Sequence, residues 1–152
     1  MDANLLEVDL PAEPRSASRA RRAVLDALKG VAVDRDAVGL VVSEAVANAV
    51  VHAYRDRPRP GAVHVSACLE DGGVEVSVAD DGLGLSPRSD SPGLGLGMSL
   101  ISDLADRVEI TPADPGTRVA AHFAFMGPAG PHGRAVPKSG RSECHMARLV
   151  AA

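Results

Sequence analysis

The chain has 152 residues, of which 45% are hydrophobic but only three are aromatic (one Tyr, two Phe, no Trp). That length suits one domain with a segment to spare, around a core built from Ala, Val and Leu. Sixteen basic against twenty acidic residues give a net charge of −4, which excludes the dominant basic field of a general nucleic-acid binder. Two cysteines, Cys68 and Cys144, do not make a disulfide framework, and a reducing cytoplasm is the expected location. No stretch approaches the roughly 18 uninterrupted apolar residues of a membrane span, and the N-terminus shows no apolar signal core.

Leu5 to Leu10 reads as a short edge strand. Ser16 to Lys29 reads as a helix, because Ala20, Val24 and Leu28 recur every fourth residue and Gly30 supplies a stop. Arg15, Arg19, Arg21 and Arg22 crowd its first half, as a solvated face or a docking surface. Asp34 suits the N-cap of a second helix reaching about Ala53. Val63–Glu70 and Val74–Asp80 are expected strands, with Asp71-Gly72-Gly73 as the hairpin turn. A Gly-rich loop precedes a third helix from about Gly97 to Ala105. Arg107–Thr111 and Thr117–Phe125 follow as strands around an Asp114-Pro115-Gly116 turn. The order predicts an α/β two-layer sandwich (α+β), with helices on one face of a mainly antiparallel sheet.

The domain is expected over residues 1–126. Residues 127–152 are rich in Gly and Pro, with Arg134, Lys138, Arg141 and Arg148 against one acid, Glu143. They read as a flexible, basic tail, or as one that folds back on the acidic body.

In the second helix, Glu44, Asn48 and His52 interrupt an apolar segment at a spacing of four. In an α-helix they span about 80° of one face. A polar stripe on an amphipathic helix accounts for them. So does oxygen chemistry: an Asn carbonyl is a hard ligand for Mg²⁺, and a Glu one turn earlier can accept a proton. His52 suits a phosphate contact or a plain helix end. Downstream, Asp80-Asp81-Gly82-Leu83-Gly84 closes a strand, and Gly93-Leu94-Gly95-Leu96-Gly97 opens a helix whose backbone N–H groups can face phosphate. The run is neither a dinucleotide fingerprint nor a Walker A loop.

In combination, Glu-x-x-x-Asn, Asp-x-Gly-x-Gly, Gly-x-Gly-x-Gly and Gly116-Thr117 occur in an order that resembles the GHKL ATPase superfamily. SEAVANAVVHAY, VADDGLGL and GLGLGMSLI look more closely like the bacterial anti-sigma-factor serine/threonine protein kinases. The resemblance covers about Leu5 to Phe125. It implies the Bergerat-type ATP-binding fold, with ATP and Mg²⁺ as cofactors. It assigns Glu44 as general base, Asn48 as the Mg²⁺ ligand and Asp80 as the adenine-reading carboxylate. Gly82, Gly84 and Thr117 complete the adenine pocket, and Gly93, Gly95 and Gly97 wrap the phosphates. Beside these, His52 and Arg88, the one cation between Gly84 and Gly93, are expected cofactor contacts read from their own positions in the sequence.

The resemblance further implies a cytoplasmic homodimer that binds a sigma factor and phosphorylates an anti-anti-sigma protein, without contacting nucleic acid or membrane. Only LSPRSDSP separates Gly84 from Gly93, shorter than lids often are in that family. This keeps open an alternative, a non-catalytic ATP-dependent binding module controlling a regulatory partner.

Overall fold

The computed structural model describes residues 3–53, 61–82, 94–113 and 115–127. All of the expected 127–152 tail beyond Gly127, and the sites expected at Gly84, Arg88 and Gly93, lie outside the described residues. The element order is β1 (Ala3–Pro11), α1 (Arg15–Ala27), α2 (Arg35–Asn48), a π-helical turn (Ala49–Ala53), β2 (Ala62–Glu70), β3 (Gly73–Asp80), α3 (Leu94–Leu104), β4 (Arg107–Pro112) and β5 (Thr117–Ala124). The five strands form one sheet in the order β1-β2-β3-β5-β4, and every pairing is antiparallel. This is the predicted α+β sandwich, with β1 at an edge as expected.

Local chemistry sets the boundaries. Asp34 accepts from the Ala37 amide at 3.0 Å and so caps α2. The Arg35 guanidinium donates to the Leu25 and Leu28 carbonyls at 2.8 and 3.1 Å. It thereby satisfies the open end of α1 and ties the two helices together. Ser16 donates to the Pro11 carbonyl at 2.6 Å, anchoring the start of α1 to β1. Glu70 pairs with Gly73, so the hairpin loop is Asp71-Gly72 alone, with Gly72 at φ +83°. The third helix departs from expectation. It begins at Leu94 rather than near Gly97, so Gly95 and Gly97 sit inside its first turns. Helical geometry extends backward because each further residue adds a backbone hydrogen bond once the turn is nucleated.

The inward sides of the strands carry Val63, Val65, Ala67, Val74, Val76, Val78, Ala121 and Phe123. They meet Val24, Leu28, Val38, Val42, Val46 and Ile101 from the helices. Side chains this small let helices lie close to the sheet, and each buried Val or Leu contributes about 1.5–3 kcal/mol.

The outward side is polar yet also buried. Ser66 and Ser77 share a 2.7 Å hydrogen bond across β2 and β3. Glu75 pairs with Arg118. His122 Nδ1 lies 2.9 Å from a Glu70 oxygen, and Arg107 reaches the His122 ring at 2.9 Å. Cys68, on the same side, is buried and disulfide-bonded, which the cysteine count did not lead one to expect.

Burial pushes the Glu75 carboxyl above its ordinary value, a rise that Arg118 and His122 offset only in part and that Glu70 adds to. From about pH 4.5 up to the raised value, the native state keeps a proton that the unfolded chain has lost. This group's contribution to stability therefore falls as pH rises through that window. Glu75→Gln is expected to flatten that fall relative to the unsubstituted protein, as measured by urea unfolding of both at a series of pH values.

Candidate nucleotide site

The candidate site is built around α2, which packs on α3 and contacts β3 and β5. Asp80 is the last residue of β3, and its register partner is Thr117, the first residue of β5. Paired residues share a face of the sheet, and this is the face that carries the helices. Thr117 is buried and Asp80 half-buried. Asp80 Oδ1 accepts from the Gly82 amide at 3.0 Å, which turns the chain at the strand end. Asp81 accepts from the Ala62 amide at 3.2 Å, holding the start of β2 beside the same turn.

Gly116 makes this convergence possible. Its φ is +102°, and a Cβ there would stand 1.9 Å from the Asp80 carbonyl oxygen. Only glycine allows the β4–β5 turn to press on the end of β3. The sequence marked Gly116 as a turn residue; its contact with Asp80 carried no sequence signal.

Glu44 and Asn48 project from α2 one turn apart, about 6 Å along the axis, and both are half-buried. Asn48 Nδ2 is buried without a hydrogen-bond partner. An unsatisfied buried amide is costly, and a bound group is a common reason for one. The carboxamide can turn to present its oxygen instead, so this residue fits a hard cation such as Mg²⁺.

After Asn48 the helix widens into the π-helical turn over Ala49–Ala53, a feature frequent at functional sites. His52 lies within this turn. Helix α2 packs on α3, whose first turns hold Gly95 and Gly97, and both α2 and the π-helical turn contact β3. The structure thus brings together the elements bearing Glu44, Asn48, Asp80, Gly82, Gly95, Gly97 and Thr117.

A protein-family model described as a histidine kinase-like ATPase domain matches residues 10–123. The chain belongs to this family. It is 37% identical over 100 residues to an anti-sigma F factor of Heyndrickxia coagulans, covering 56% of this chain and 67% of the relative. It is 33% identical over 91 residues to an anti-sigma F factor of a Geobacillus strain, covering 52% and 62%. A crystal structure of the RsbU and RsbW domains of a Mycobacterium tuberculosis protein aligns with a TM-score of 0.64 and 26% identity, over 82% of this chain and 33% of that one. The matched span of the histidine kinase-like ATPase domain runs from the end of β1 to β5 and so includes all the site elements above.

The site's dependence on Gly116 is open to test. Gly116→Ala is expected to cost more than about 2 kcal/mol, combining left-handed strain with a backbone collision. Gly72→Ala shares the positive φ but meets open space, and is expected to cost about 1 kcal/mol. Urea midpoints of the two variants separate the effects.

Proposed function

We propose that the chain is an ATP-binding regulator of the anti-sigma type, with serine/threonine protein kinase activity toward an anti-anti-sigma protein. The carrying observation is the buried, unpartnered Asn48 amide, one turn from a carboxylate on a helix that packs over the Asp80 strand. The anti-sigma F factor relatives and the RsbW-containing neighbour support the regulatory reading. The partners are then a sigma factor and the phosphorylated antagonist. The setting is cytoplasmic, and the chain works as a homodimer. Among the described residues, no helix is long and apolar enough to cross a membrane.

In this reading Asp80 accepts a hydrogen bond from the adenine amino group, while Gly82 leaves the base room to approach. Thr117 donates or accepts beside Asp80. Asn48 presents its carboxamide oxygen to Mg²⁺, which when bound neutralises charge on the phosphates. Gly95 and Gly97 expose backbone N–H groups in the first turns of α3, where the helix dipole favours anions. Gly84, Gly93, His52 and Arg88 complete the proposed set. Glu44 takes the proton from a partner's Ser or Thr hydroxyl as the γ-phosphoryl group moves. Positioning and charge stabilisation carry most of the rate in such transfers, and a general base adds about 10²–10⁴-fold. A second reading, nucleotide binding without transfer, draws on the eight residues between Gly84 and Gly93.

The test mixes the purified protein with γ-labelled ATP, Mg²⁺ and an extract of the source organism. A small, acid-stable labelled protein is expected with the unsubstituted chain. Glu44→Ala is expected to lose about 3–5 kcal/mol of barrier lowering while keeping most ATP affinity, and Asn48→Ala to weaken Mg·ATP binding itself. Undiminished transfer by Glu44→Ala sinks the assigned base. Tight ATP binding with no transfer by any form selects the second reading.

A further inference from the structure

The pairing of β2 with β3 stops one residue short of the turn at the candidate site. Its last register pair is Val63 with Asp80, and the same register continued would set Ala62 opposite Asp81. β2 itself does not stop there, because Ala62 still pairs with Pro11 of β1. The Asp81 carboxylate reaches back and accepts from the Ala62 amide at 3.2 Å. A side chain thus takes over where the backbone pairing of β3 ends. Next to Ala62, the Gly61 carbonyl accepts from the Ala12 amide at 2.9 Å. The start of β2 is therefore held by β1 and can serve as a fixed point for the turn.

We propose that Asp81 is a positioning residue for the nucleotide site: its bond to Ala62 holds the Asp80–Gly82 turn in the form that reads the adenine amino group. The inference rests on the proposed nucleotide role of Asp80. The Asp80 backbone is fixed on one flank by Gly116, whose missing Cβ lets the β4–β5 turn lie against the Asp80 carbonyl. Asp81 fixes the other flank, toward β2. The Asp80 carboxylate is engaged inside the turn, where it accepts from the Gly82 amide at 3.0 Å. That local bond shapes the turn but gives it no fixed direction relative to the sheet. The Asp81 bond supplies the direction.

Asp81 is exposed, and one hydrogen bond there adds little to the stability of the whole domain. Its effect is local. It sets the fraction of time that the turn spends in its binding-competent form, and apparent affinity falls in proportion when that fraction falls. The bond needs an acceptor oxygen at this reach and does not need a charge, so asparagine can replace the aspartate and alanine cannot.

The experiment compares the full unsubstituted chain with Asp81→Ala and Asp81→Asn. Amide hydrogen exchange is measured first, without nucleotide. Asp81→Ala is expected to speed exchange at Gly82 about tenfold, since exchange follows local opening, and to leave Val65 and Val76 in mid-strand unchanged. Asp81→Asn is expected to exchange like the unsubstituted chain. Unchanged exchange at Gly82 in Asp81→Ala overturns the proposal, and so does acceleration across the whole sheet, which marks a merely structural role. Affinities for Mg·ATP and Mg·GTP are then measured by calorimetry. Asp81→Ala is expected to bind ATP about tenfold more weakly and to lose most of its preference for ATP over GTP, because guanine carries a carbonyl where adenine carries the amino group. An equal loss for both nucleotides overturns the proposal, as does an Asp81→Asn variant that behaves like Asp81→Ala. Absence of ATP binding by the unsubstituted chain counts against the proposed function instead, and the exchange result then decides by itself whether Asp81 holds the turn.

Discussion

A helix that is apolar on most of its surface must be covered on most of its surface, and α2 imposes that constraint here. Val38, Val41, Val42, Ala45 and Val46 are buried, so α2 lies between the sheet, α1 and α3. The cover leaves one edge free for polar groups, and that edge holds Glu44 and Asn48. Their partial burial follows from the packing around them. A carboxylate and an amide in such a place are useful because water is scarce there, and costly for the same reason unless a ligand satisfies them.

The second condition is set by backbone rather than side chains. Asp80 and Thr117 meet because β3 and β5 are neighbours in the sheet, though 36 positions of sequence lie between them. Gly116 brings the turn against the Asp80 carbonyl, and the Gly82 amide returns to the Asp80 side chain. Membership of the histidine kinase-like ATPase family accounts for the arrangement as a whole. The local reasons are a missing Cβ, a strand register and one hydrogen bond within the turn.

The two faces of the sheet solve different problems. The inward face is a Val and Ala surface matched to helices of the same composition. On the outward face Glu75 pairs with Arg118, Glu70 lies against His122, and His64 lies between Glu7 and Asp9. A largely buried ion pair such as Glu75 with Arg118 adds little net stability against an apolar alternative.

Much of this architecture was legible in the amino-acid order, because short-range signals decide it. Strand alternation, the Asp34 cap, the Gly30 stop and the Asp71-Gly72 turn each act within a few residues. The Glu44 and Asn48 pair was visible for the same reason, since four residues make about one helical turn. The third helix began earlier than its glycines suggested: alternating Gly disfavours a helix locally, but each residue added to a nucleated helix gains a backbone hydrogen bond. The π-helical turn after Asn48, the closeness of Gly116 to Asp80 and the burial of the outward face were decided by tertiary structure alone. Each depends on segments distant in sequence that meet only when the sheet has closed.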